Sequence, residues 1–380
     1  VLEDVEQWLR KRSWSAADRP PARLQAAKRA LGARGTVSVV LPALNEEATV
    51  GAIVTAIRTE LMTTADGGPL VDELVVMDSG STDRTAEVAA AAGARVVHRD
   101  DVLPRVPALP GKGEVLWRSL LVTRGEIVCF VDADLRDFDT AFVSGIVGPL
   151  LTEPDVDFVK AVYDRPLGGA VGGTGDAGGA VGGTGDAVAG AAGDAAAGDS
   201  VGGSAGGSVG GSAGGSAGAA GSGPAVRGGP GGQGGRVTEL VARPLLNLHW
   251  PLLAGFVQPL GGEYAARRSL LERLPFPVGY GVELGLLVDA LHTVGLDALA
   301  QVDVGVRHHR HQDDRALGRM AAAIYRTAQL RLARGHLVRP RLTQFDRGED
   351  GTFEPRTYGV DTEERPPMEE IREYVERRAA

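Results

Sequence analysis

Between Val37 and Val131 the chain alternates short apolar runs with stretches of helical period. Val37–Leu41, Leu74–Met77, Arg95–His98 and Glu126–Val131 read as strands, because each is short, apolar or β-branched, and bounded by polar turns. Between them, Glu46–Met62 places Val50, Ile53, Val54, Ile57 and Leu61 at helical spacing. Asp83–Ala92 is alanine-rich, with Ser81 or Thr82 placed to cap it and Gly93 to end it. Gly111–Thr123 reads as a further helix. Strands that alternate with helices specify an α/β fold with a mainly parallel sheet flanked by helices.

In such sheets ligands bind beyond the carboxyl ends of the strands. Three of these ends carry polar chemistry. The first is Pro42-Ala43-Leu44-Asn45-Glu46-Glu47, the second Asp78-Ser79-Gly80-Ser81-Thr82-Asp83, and the third Asp132-Ala133-Asp134. Each of the first two is, alone, equally well a capped β–α turn. Two carboxylates one residue apart suit a divalent cation, which in turn suits phosphates. Three polar ends converging on one crevice make a binding site. No G-x-G-x-x-G follows the first strand, and no G-x-x-x-x-G-K-[ST] occurs, so a dinucleotide fold and a P-loop hydrolase are disfavoured. Lys112, between Gly111 and Gly113, is placed to meet a phosphate or a base.

Glycine is the compositional anomaly. Of 55 glycines, 30 lie between Gly168 and Gly235, a segment with two exact tandem repeats, GGAVGGTGDA at 168–187 and VGGSAGGS at 201–216. Almost no large apolar side chain is present to offset backbone ordering, so residues 168–235 read as a flexible insertion. The expected organisation is an N-terminal helical arm (1–35), a nucleotide-binding half (36–167), the insertion, a second half (236–338), and a charged, proline-punctuated tail (339–380). The second half shows a helix over Val282–Val294, a strand near Ala300–Val306 and a helix over Ala316–Leu337. A net charge of −9 disfavours a sequence-independent nucleic-acid partner. One cysteine, Cys129, excludes an internal disulfide. No apolar run approaches the roughly 20 residues of a membrane span, and no signal-peptide pattern opens the chain, so the cytoplasm is the expected location.

Taken together, PALNEE, DSGSTD, GKGE-x-LW, VDADL, GGRVTELVARPLL, QPLGGEYA, PF-x-x-GYGVE-x-GLL and GVRHHRH resemble the glucosyl-3-phosphoglycerate synthases of actinobacteria. The resemblance runs from about Val37 to Leu332, interrupted only by the insertion. The early motifs are shared by many GT-A glycosyltransferases, whereas GGRVTELVARPLL and PLGGEYA with GYGVE are far more specific.

The resemblance implies a retaining, metal-dependent GT-A enzyme. It would move glucose from UDP-glucose, or a GDP donor, to the 2-hydroxyl of 3-phosphoglycerate, with Mg2+ or Mn2+ as cofactor and a homodimer as assembly. It assigns the donor to Pro42, Ala43, Leu44, Asn45, Glu46, Ser79, Lys112, Asp132, Ala133, Tyr280, Gly281, Val282, Glu283 and Arg307. The metal goes to Asp134 and His309, and the acceptor to Gly235, Arg236, Val237, Thr238 and His311. Leu260, with Gly261 and Gly262, is implied to wall the reacting carbon, with Glu283 and Asp134 completing the catalytic set.

The family's Arg-Glu-His reads Arg307-His308-His309 here, and register favours His309 over His308. The family's asparagine near the acceptor is His311. Retention needs no side-chain nucleophile if the leaving phosphate takes the proton of the attacking hydroxyl, with Glu283 as nucleophile the less favoured alternative. The rivals are a mannosyl-transferring or inverting GT-A enzyme and an idle sugar-nucleotide-binding protein. A processive inverting enzyme would carry Q-x-x-R-W and membrane helices, and neither is seen.

Overall fold

The computed structural model describes residues 2–63, 67–164, 235–307, 314–332, 341–347, 353–359 and 362–379. The glycine-rich repeats lie outside the described residues. The chain opens with helix α1 (Glu3–Arg12), strand β1 (Ser13–Ser15) and helix α2 (Pro21–Leu31). The alternating region follows: β2 (Val37–Ala43), α3 (Val50–Ala56), β3 (Glu73–Asp78), α4 (Thr85–Ala91), β4 (Arg95–His98), α5 (Lys112–Val122), β5 (Ile127–Phe130), α6 (Ala141–Thr152) and β6 (Phe158–Asp164). After the repeats come α7 (Arg243–His249), β7 (Tyr264–Arg267), α8 (Arg268–Leu271), β8 (Phe276–Pro277), α9 (Val282–Val294), β9 (Leu299–Val306) and α10 (Asp314–Leu332). The C-terminal segment holds β10 (Arg341–Arg347), β11 (Phe353–Gly359), β12 (Glu364–Arg365) and α11 (Arg372–Ala379).

Eight strands form one sheet in the order β1-β9-β6-β7-β5-β2-β3-β4. All neighbours are parallel except β7, which runs antiparallel to both β5 and β6. Period-2 alternation divides the core. Val37, Val39, Leu41 and Ala43 of β2 pack with α3 and α6 on one face, and Val40 packs with Trp117 and the α9 leucines on the other. Full burial of a side chain such as Phe130 contributes about 1.5–3 kcal/mol.

Several helix bounds differ from expectation. The first helix begins at Val50 rather than Glu46, because the N–H groups of Glu46 and Glu47 donate to Thr85 Oγ1 (2.7 Å) and Asp83 Oδ2 (3.2 Å). It continues past Ala56 as a π-turn over Ile57–Leu61. The next helix starts at Thr85, and neither Ser81 nor Thr82 caps it. Ser81 Oγ accepts from Asn45 N–H instead, and Asp83 Oδ1 accepts from Thr85 N–H at 2.9 Å. The helix expected over Ala316–Leu337 is described over Asp314–Leu332, and residues 333–337 lie outside the described set.

Both chain ends enter the body of the molecule. Trp8 is buried, its ring lies tilted against that of Phe256 with centroids 4.6 Å apart, and its indole N–H donates to Leu299 O at 2.7 Å. β1 then adds an edge strand alongside β9. Residues 339–380 were expected as a peripheral tail, yet β12 pairs with β8 and Met368 and Tyr374 are buried. Arg365 reaches Glu114, which is fully buried. The segment's high charge conceals this, because its arginines pair with acids far away in the chain. Strands from both sides of the repeats share the sheet, and the described residues fall in one compact unit.

Candidate functional site

Three parallel neighbours, β5, β2 and β3, end side by side. β6 and β9 end on the same edge, where antiparallel β7 begins. The segments after β2, β3, β4, β5 and β9 and the one before β7 line one crevice, a cavity of about 1090 Å³. Of the expected donor residues, Pro42, Ala43, Leu44, Glu46, Ser79, Lys112, Asp132, Ala133, Tyr280, Glu283 and Arg307 line it. So do Asp134 and Leu260, and the expected acceptor residues Gly235, Arg236, Val237 and Thr238.

The remaining expected residues are placed otherwise. Asn45 takes a left-handed backbone (φ 60°) and ties two loops together, its Oδ1 accepting from Thr82 N–H at 2.8 Å. Val282 is wholly buried in the core. Gly281 backs onto Thr327, where a Cβ would collide with that side chain. His309 and His311 lie outside the described residues. Asp78, at the head of the second polar strand end, is buried and accepts from the Gly80 and Ser81 N–H groups at 3.2 Å, so it builds its own turn.

The acidic pair sits in a cationic clasp. Lys112 bonds Asp132 and lies 2.9 Å from Glu283 Oε1. Arg307 Nη2 lies 2.9 Å from Asp132 Oδ2, 3.1 Å from Asp134 Oδ1 and 3.2 Å from Glu263 Oε1. Burial and the adjacent Asp132 raise the Asp134 carboxyl above its usual range, against the pull of Arg307 and Lys112. Burial alone would lower the Lys112 ammonium, yet Asp132 and Glu283 hold it well above its usual value. The Ala133 carbonyl between the acids accepts from Thr49 Oγ1 at 2.6 Å, which fixes the loop to the start of α3. Gly262 presses against the clasp, since a Cβ there would run into Asp132 and Lys112.

Sequence reasoning missed Glu263, which faces Arg307, and the contribution of the C-terminal segment. Glu263 stands inside the QPLGGEYA motif, immediately after the wall residues, and that position was its signal. Gly359, Thr362 and Glu363 also line the cavity, as do Arg99 and Arg319. No local pattern marked them.

The family model for glycosyl transferase family 2 matches residues 38–170. The glucosyl-3-phosphoglycerate synthase of Mycolicibacterium paratuberculosis is 44% identical over 376 residues, covering 97% of this chain and 93% of that protein. The chain belongs to the glucosyl-3-phosphoglycerate synthase family. Its fold is the GT-A glycosyltransferase fold. A solved structure of the Mycobacterium tuberculosis synthase in complex with Mn2+, UDP-glucose and phosphoglyceric acid superposes with a TM-score of 0.67 at 40% identity, covering 93% of this chain and 95% of that one. The mannosyl-3-phosphoglycerate synthase of Rubrobacter xylanophilus superposes with a TM-score of 0.74 at 35% identity, covering 97% and 98%.

The donor set at the clasp fits a hard divalent cation. Asp132 and Asp134 offer carboxylate oxygens at the cavity wall, and their charge is balanced by Lys112 and Arg307. Among the described residues no three His, Cys, Asp or Glu side chains form a metal group. No helix among them is long and apolar enough to cross a membrane.

Proposed function

We propose that this chain transfers glucose from UDP-glucose to the 2-hydroxyl of 3-phosphoglycerate with retention of configuration. The observation that carries the reading is one cavity lined both by Pro42, Ala43, Leu44, Glu46, Ser79 and the acidic clasp and by Gly235–Thr238. The nucleotide would lie against the first set and the acceptor's phosphate or carboxylate against the second. Arg236 pairs with Asp314 across a solvent-exposed contact, and exposed pairs are weak enough for an incoming anion to exchange. Arg236 with the Thr238 hydroxyl and the backbone N–H groups of a helix start makes an anion trap.

Asp134 would hold Mg2+ or Mn2+ together with His309, and the cation would neutralise charge on the leaving diphosphate. Lys112 supplies a fixed positive charge beside Asp132 on the same wall. Glu283 is engaged by Lys112, which suits it to accept hydrogen bonds from glucose hydroxyls rather than to attack carbon. Leu260 walls the reacting carbon and excludes water. The proton of the attacking hydroxyl passes to the departing phosphate on the same face, so positioning and electrostatics carry the reaction.

Exposed Leu240 and Leu248, on one helical run, support a homodimer. The lone, buried Cys129 and the phosphorylated substrates support a cytoplasmic location.

The test is a matrix of UDP-glucose, GDP-glucose and GDP-mannose against 3-phosphoglycerate with purified protein, the product read by NMR. An α-linked product formed from UDP-glucose only with divalent metal is expected. A β-linked product would overturn retention, metal-independent turnover the cation's role, and preference for GDP-mannose the donor. The last arm matters because of the fold shared with the Rubrobacter mannosyl enzyme.

A further inference from the structure

Lys160 is a charged residue on a central strand, 1% exposed. It lies between Tyr264 of β7 and Gln301 of β9 in the sheet register. Its ammonium donates to Gly261 O at 2.7 Å and stands 4.9 Å from the centre of the Tyr264 ring. Burial lowers its pKa to about 8, with Glu283, Glu263 and Asp132 drawing it back up and Lys112 opposing them. Those four groups all belong to the clasp, so this ammonium stands inside the field of the site.

Desolvating a cation costs several kcal/mol, and a neutral amide would satisfy the same carbonyl. The carbonyl it holds is the informative part. Gly261 separates Leu260 from Gly262, and both neighbours line the cavity. The turn is closed above by Gly261 N–H donating to Gln258 O at 3.1 Å. Ala161 N–H, next to the lysine, donates to Glu263 O at 3.0 Å. Strand β6 thus supports the Gln258–Glu263 segment from beneath at two consecutive residues.

We infer that Lys160 is a positioning residue for the transfer step, whose ammonium pins the Leu260-Gly261-Gly262 segment against Asp132 and Lys112. The inference rests on the reading of Leu260 as the wall beside the reacting carbon. Lys160 touches neither substrate. Its effect is on the geometry of the sugar, while the nucleotide is held mainly from β2 and β3.

The test compares Lys160→Met and Lys160→Gln with the wild type in kcat, KM for donor and acceptor, UDP affinity by calorimetry, and melting temperature. K160M removes a desolvated charge but leaves Gly261 O without its donor, and the two effects oppose each other, so its melting temperature should stay within roughly 5 °C of wild type. Its kcat should nevertheless fall roughly 10–100-fold, as for loss of a supporting contact, with UDP affinity within about threefold. K160Q restores a donor and should recover several-fold of the lost kcat. A kcat in K160M within about twofold of wild type, for the folded fraction, overturns the inference. So does a loss of UDP affinity as large as the loss of kcat, or a K160Q no faster than K160M. If K160M does not fold, Lys160→Leu takes its place as the variant without a donor and is judged by the same twofold limit. Wild-type protein inactive with 3-phosphoglycerate would count against the proposed acceptor alone. The same comparison would then be made on the slow hydrolysis of UDP-glucose, in which water replaces that acceptor.

Discussion

Two clusters of buried charge are built on helix α5, and they behave as opposites. Along the helix, Glu114 and Arg118 are both 0% exposed, and Arg365 closes the group from the C-terminal segment. Arg118 also donates to the carbonyls of Val102, Leu103 and Val106, and Arg365 lies over the Trp117 ring. The donors and acceptors are matched, and neither Glu114 nor Arg118 lines the site cavity. At the start of the same helix, Lys112 meets Asp132 and Glu283, and Arg307 meets Asp132, Asp134 and Glu263. Here carboxylates crowd one another and open onto a cavity of about 1090 Å³. The same residue types stabilise in the first place and store charge for a ligand in the second. Completeness of pairing and access to solvent make the difference.

Breaking the closed cluster should have the largest effect. Arg118→Met strips Glu114 of one partner and three carbonyls of their donor. A loss of about 3–5 kcal/mol by urea unfolding is expected, with KM values unchanged for the protein that remains folded. Equal losses of stability and substrate affinity would erase the distinction between the clusters.

The open cluster should respond in the reverse sense. Asp134→Asn is expected to lower turnover about 10²–10³-fold and leave the melting temperature at or above the wild-type value. Stability is kept because one of two mutually repelling carboxylates has gone. A melting temperature well below wild type would make the pair structural.

At the acceptor end the expected effect is smaller. Arg236→Ala should raise KM for 3-phosphoglycerate roughly 10-fold or more, since hydrogen bonds to charged groups contribute about 1.5–3 kcal/mol. Stability should change by less than about 0.5 kcal/mol, because the Arg236–Asp314 pair is exposed. An unchanged KM would place the acceptor elsewhere.

The smallest effect is expected from deleting residues 170–230. Their composition supplies no core, so kcat and KM should stay within about twofold of the full chain. A larger change in steady-state assays would bring the insertion into the site.

Much of the site was legible because strand ends are local features. Pro42–Glu46, Ser79 and Asp132–Asp134 each follow an apolar run whose period can be read along the chain, and each of these stretches lines the cavity apart from the loop-tying Asn45. Asp78 misled because an acid at a strand end reads alike whether it faces a ligand or its own turn. Glu263 and Lys160 escaped for another reason. A carboxylate or ammonium inside an apolar motif carries no periodic mark, and the partners, Arg307 and Gly261, lie far away in the chain.

Sequence by itself determined the α/β alternation, the polar strand ends and the helix α9, whose bounds Val282–Val294 fall where the periodicity puts them. Tertiary structure alone decided that β7 enters the sheet antiparallel between β5 and β6. It also decided that Arg307 closes on Asp132 and Asp134, and that Arg365 reaches Glu114 from what reads as a tail. Local period records which face of an element is apolar. It does not record which distant element will cover that face, because that choice is made by shape and charge matching between segments far apart in the chain.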